Sequence, residues 1–172
     1  MINIILNYNV LNKIQVIDTM QSGEKIEKWI KETLSRPHET FNNLPACPFA
    51  KKAWLENKVE IHEDRNLYEI DFKRLLTGEL DVIMFLLEPT IDVDEFDRQV
   101  NLTKAVVKDK YIVLDDHPQH EEKVSGFKLN LKDYAAIFVQ SREKLEKARA
   151  SLVIQGYYKN FTEDYLLDVW SN

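Results

Sequence analysis

"LDVIMFLLEPTIDVDEFDRQV", residues 80–100, decides the fold. Its first nine residues are apolar almost without a break, where a half-buried strand would alternate. A continuous run of that length reads as a strand buried on both faces, which requires helices above and below the sheet. Glu88-Pro89 ends it. A helix then starts with its own punctuation. Asp92 and Glu95 have capping-box spacing, and Ile91 and Phe96 have that of a hydrophobic staple. A buried strand handing over to a capped helix is the first half of a strand–helix–strand unit.

The pattern continues outward from this stretch. The helix runs to about Val107, and "YIVLDD" (111–116) is the next strand. A polar loop follows from Pro118 to Lys132. "YAAIFVQ" (134–140) is another strand, capped by Ser141 into a helix carrying Leu145, Ala148, Leu152 and Val153 and stopping near Gly156. Upstream, "NLYEIDFKRLL" (66–76) predicts a short helix ending at Gly78, and "KVEIH" (58–62) a strand. The order from residue 58 is therefore β-α-β-α-β-β-α. That alternation predicts an α/β (α+β) sandwich, with helices on a mixed, ferredoxin-like sheet of four to five strands.

The N-terminal segment, residues 1–57, reads as the strands "NIIL" and "KIQVID", then a helix after Ser22 with Ile26, Trp29, Ile30, Thr33 and Leu34 on one face. A loop broken by Pro37 and Pro45 follows, then a helix opened by Cys47 and running to about Asn57. "TEDYLLDVW" near the C-terminus reads as a docked helix in residues 157–172. Neither a repeat nor a linker interrupts the 172 residues, so the expectation is one domain built around a core at 58–156.

Composition narrows the function classes. At 44% hydrophobic and 10% aromatic the chain is globular rather than disordered. Its net charge of −6 argues against nucleic acid as a main partner, since phosphate binders carry a basic face. The longest apolar runs are too short to span a bilayer, and "MINIILNYNV" lacks the basic start of a signal peptide. One cysteine forms no internal disulfide. A cytoplasmic protein without membrane association is the expectation. The four glycines are scattered, so no phosphate-cradling loop of the nucleotide-binding type can be drawn and no nucleotide cofactor is expected. Abundant Asn, Lys and Ile suit an AT-rich bacterial or phage genome.

Two stretches carry chemistry. In "PACPFAKKAW" (45–54) the only cysteine, Cys47, precedes Pro48, the residue favoured at the first helical position. A thiol at the cap faces unpaired backbone N–H groups and the positive helix end, which favour the thiolate. Lys51 would add positive potential, and His38 lies in the loop before it. The alternative is that Cys47 packs as a small apolar residue. In "LDDHPQHEE" (114–122), Asp115, Asp116, His117, His120 and Glu121 follow a strand directly. The carboxyl ends of strands are where open α/β sheets place ligands. Glu88 would share that cleft with Asp115 if their strands are neighbours. Cys47, His117, His120 and Asp116 are together a candidate set for a divalent metal, Zn or Fe.

The residues "KWI", "LPACPFAKKA", "NKVEI", "VIMFLLEPTIDVDEFDRQV" and "YIVLDDHP" resemble an uncharacterised bacterial family known as domain of unknown function 1415. The likeness spans about residues 26–118, with Trp29, Cys47, Pro48, Phe49, Ala50, Pro89, Phe96, His117 and Pro118 on the family pattern. It implies that the Cys-Pro-Phe-Ala and His-Pro elements form one site. The chain departs at Asp116, where the family has phenylalanine, and lacks the later Arg-Ser-Pro-Tyr-Pro-like stretch. More locally, "CPFAKKAWLENKVEIHED" is similar to the active-site helix of glutaredoxins and omega glutathione transferases. In that fold a buried strand directly precedes the cysteine, whereas here "FNNLPA" stands there.

Two functions follow from these residues. One is a small enzyme with Cys47 as nucleophile or redox thiol and His117 as base, supported by Asp115, Asp116, His38 and Lys51. The other is a non-enzymatic protein that binds a small molecule or protein partner, with Cys47 only a packing residue.

Overall fold

A computed structural model describes residues 21–63, 69–120, 123–124 and 126–171. The strands expected at 3–6 and 13–18 lie outside the described residues.

Among the described residues the centre is a four-stranded mixed sheet of β3 (Val59–His62), β4 (Val82–Leu87), β5 (Tyr111–Asp116) and β8 (Ala135–Ser141), in the order β3-β4-β8-β5. β3 and β4 are parallel, while β8 runs antiparallel to both β4 and β5. The parallel β3–β4 pair is where the order departs from a ferredoxin-like sheet, whose neighbours are all antiparallel. β3, β4 and β5 thus point the same way, and their carboxyl ends share one edge. Between them come α3 (Lys73–Thr77) and α4 (Val93–Val107), and after β8 comes α5 (Arg142–Ile154).

The continuous apolar run of β4 explains the layering. Because successive side chains face opposite ways, Ile83 and Phe85 join one core with Leu75 of α3, Phe96, Val100 and Val107 of α4, and Ile137 and Val139 of β8. Met84 and Leu86 join a second core on the other face with Ala136 and with Ile26 and Ile30 of the first helix, residues 21–29 extended by Ile30–Leu34 (together α1). α2 (Ala50–Leu55) covers this face too, through Ala50 and Trp54. Helices on both sides of a mixed sheet form the α+β sandwich that the alternation predicts.

Local punctuation behaves mostly as read. The Asp92 carboxylate accepts from the Asp94 and Glu95 amides (3.0 and 3.3 Å), but Glu95 turns to Arg98 and Gln99, so half the capping box forms. Phe96 is fully buried and Ile91 packs on its core, as a staple requires. Gly78, at φ 85°, closes α3 in the left-handed conformation, where a side chain would be strained. Ser141 caps α5.

The departures are instructive. α1 ends in a π-turn over Ile30–Leu34, closed by Ser35 N–H donating to Ile30 O at 2.9 Å. α2 opens at Ala50 after Phe49, and Cys47 lies in a bend three residues ahead of it. The cause is tertiary. Cys47 N–H donates to Leu34 O (2.9 Å) and Tyr157 Oη donates to Ala46 O, so the chain at 46–47 is held across the fold and not wound into the helix. The expected irregular loop holds β1 (Pro37–His38) paired with β2 (Leu44–Pro45), apart from the main sheet. The polar loop after β5 contains a small hairpin of β6 (Lys123–Val124) and β7 (Phe127–Lys128). α6 (Glu163–Ser171) docks through Tyr165 on a third core of Phe41, Val124, Leu152 and Tyr157.

Candidate functional site

His117 follows β5 at the shared carboxyl edge and is fully buried. Pro118 and Gln119 turn the chain, and His120 N–H closes the turn on His117 O at 2.9 Å. The Gln119 amide donates to His117 Nδ1 at 3.2 Å, which makes Nδ1 an acceptor. Nε2 therefore carries the hydrogen and donates to Ile91 O at 3.0 Å. The ring packs 5.0 Å from Phe96 and 5.1 Å from His120, centroid to centroid. Both nitrogens are thus committed to backbone, and the ring pins the turn after β5 to the start of α4.

Asp116 faces the opposite side of the sheet, as its pairing with Ala136 of the second core requires. It is buried, and its carboxylate accepts from the Leu131 amide and from Asn130 Nδ2 (2.8 Å). The same Asn130 amide reaches His117 O and His120 O, at 3.4 and 3.1 Å. Burial pushes the Asp116 carboxyl above its ordinary range, against the pull of the Leu131 and Asn130 donors. Asp116 and Asn130 together strap the loop at 117–131.

Asp115 faces α4. Burial raises its carboxyl too, opposed by Lys104 and His120. A carboxyl with a raised folded pKa holds its proton more readily when folded, so its contribution to stability falls as pH rises through that value. Asp115→Asn is therefore expected to raise the melting temperature at pH 7, with the gain shrinking toward about pH 4. Thermal unfolding of both proteins across that range checks it.

Cys47 lies on the other side of the sheet, between α1, α2 and the third core. The sequence expectation of a lowered thiol pKa is reversed. The amides of Phe49 and Ala50 do act on the sulfur and favour the thiolate, but burial outweighs them and pushes the Cys47 thiol up. Lys51 is exposed and is not among the groups acting on the thiol. Tyr157 is the neighbour that reasoning from sequence missed. It is buried, and its phenol is driven far above the ordinary range by burial and then by Cys47. The only sequence signal for it is its place after Gly156, where α5 ends.

Cys47 and His117, expected to form one site, have separate sets of partners. The partners of Cys47 are Leu34, Phe49, Ala50 and Tyr157, and those of His117 are Ile91, Phe96, Gln119 and His120. His38 is occupied elsewhere. Its Nδ1 accepts from Thr40 N–H at 3.2 Å, capping the short helix Glu39–Phe41, and its ring lies 4.5 Å from Phe127. Glu88 is exposed, and β8 separates its strand from that of Asp115, so those carboxylates share no cleft. The metal set of Cys47, His117, His120 and Asp116 is likewise split. Among the described residues no group of three or more His, Cys, Asp or Glu is placed to hold a metal ion. Nor is any described helix long and apolar enough to cross a membrane.

Comparison with protein-family models, curated proteins and solved structures finds no match to this chain.

Proposed function

We propose that the chain is a non-catalytic binding protein in which Cys47 and His117 are structural residues. The observation that carries this reading is the commitment of both His117 ring nitrogens to backbone partners at Gln119 and Ile91, on the sheet face away from Cys47. A general base needs one nitrogen available to a substrate proton, and a metal ligand needs one available to the ion. The raised thiol of Cys47 supports the same reading, because the nucleophile is the thiolate. Kinship with domain of unknown function 1415, or with the glutaredoxin-type helix, rests on the quoted motifs alone and supplies no activity.

Zinc titration followed by thermal unfolding tests this reading. A ligand that binds only the folded state raises the melting temperature. The expected result is no zinc-dependent rise in the wild type or in Cys47→Ala, the variant losing about 1 kcal/mol of stability from the missing sulfur. A zinc-dependent rise in the wild type that disappears in Cys47→Ala would overturn it.

A further inference from the structure

At the edge of the sheet opposite His117, α4 hands over to β5 through Lys108, Asp109 and Lys110. A cavity of about 280 Å³ opens there, with Lys104, Lys108, Asp109, Tyr111 and Arg142 among its walls. We infer that this corner binds a small phosphate-bearing ligand. The inference gives the binding reading above a ligand class, and its test is independent of Cys47, so either can fail alone.

Charge is the first argument. The chain carries −6 overall, yet this cavity sets three cations against one carboxylate. Arg142 is held rigidly, with Nε donating to Asp109 O (2.8 Å) and Nη2 to Tyr111 O (3.4 Å). Those acceptors are neutral carbonyls, so they orient the guanidinium without cancelling its charge. The guanidinium has more N–H donors than these two contacts use. Lys104 and Lys108 make no salt bridge among the described residues, although Lys104 is near enough to Asp115 to pull that carboxyl's pKa down.

The backbone of three elements shapes the cavity around the cations. Tyr111, Ile112 and Val113 all line the cavity, although neighbouring side chains on a strand face opposite ways. A cavity touching all three meets the edge of β5, the end strand of the described sheet, where the Tyr111 amide already donates to Lys108 O at 3.3 Å. Arg142 is also the first residue of the 13-residue α5, its own amide donating to Lys110 O at 3.0 Å, while the carbonyl end of α4 borders the same cavity and is offset by Lys104 and Lys108. Cations converging from the end of α4, the turn after it and the start of α5 suit a tetrahedral oxyanion. A flat carboxylate would engage fewer of them.

The backbone of Lys108 is unusual. It sits at φ 62° and ψ −175°, a region that essentially only glycine occupies. A lysine there holds strain that glycine would relieve.

The test is a titration of inorganic phosphate and, separately, phenyl phosphate at constant ionic strength, followed by calorimetry and by the amide signals of residues 108–113. The expected result is saturable binding of at least one of them by the wild type. Lys108→Gly should melt higher than the wild type without ligand and bind at least tenfold more weakly, and Lys104→Gln should also bind at least tenfold more weakly. Lys132→Gln, an exposed lysine at the other edge, should bind as the wild type does. Binding of phenyl phosphate without inorganic phosphate would identify a monoester as the ligand. Absence of saturable binding of either probe would overturn the inference, and so would unchanged affinity in Lys108→Gly and Lys104→Gln.

Discussion

His117→Ala is expected to lower the unfolding free energy by about 3 kcal/mol, the scale of emptying a fully buried ring site. The ring is wholly enclosed against Phe96, and its removal leaves the Ile91 carbonyl and the Gln119 amide without their partner. Orphaned buried polar groups add to the cost of the cavity. For a chain of this length that corresponds to a fall in melting temperature of about 6–12 °C. Chemical denaturation with an unchanged m-value is the measurement. A loss below about 1 kcal/mol would show that the ring is not the clamp between the β5 turn and α4.

Asp116→Ala should cost about 2 kcal/mol, for a different reason. The Leu131 amide and Asn130 lose their acceptor, each at about 1 kcal/mol or more. Part of this is returned, because the carboxyl is itself held at a cost that shows as its raised pKa. The effect should also be local. Asn130 links Asp116 to the carbonyls of His117 and His120, so amide exchange at residues 117–120 and 129–131 should accelerate more than that of α4. Uniform acceleration across the chain would contradict the strap.

The scaffold around residues 80–100 was legible because its signals are local. The apolar run of β4, the Asp92 cap and the Ile91–Phe96 staple each depend on residues only a few positions apart, and the structure keeps them. The Cys47 reading turns on contacts distant in sequence. Its local half was sound, since the amides of Phe49 and Ala50 do bear on the sulfur. The burial that outweighs them depends on packing against segments remote in sequence, among them Tyr157, whose hydroxyl reaches Ala46 from 111 positions away. The partners of His117 were out of reach for a related reason. Its place at a strand's carboxyl edge was read correctly, but Ile91, which takes its Nε2 hydrogen, lies 26 positions upstream. Asn130 carried no pattern in the sequence at all. The cation corner was hidden too, because Lys104, Lys108 and Arg142 are ordinary surface charges until the fold turns α4 into β5 beside the start of α5.

The central claim is that Cys47 is a structural thiol. The rate of its alkylation by iodoacetamide, followed by mass spectrometry from pH 6 to pH 11 in the folded protein, tests this most directly. Unfolded protein serves as the free-thiol reference, near pH 8.5. The account predicts a folded profile whose midpoint lies above that of the reference, with slower modification throughout. A midpoint below the reference, with fast reaction near neutral pH, would contradict it and return Cys47 to the role of an activated nucleophile.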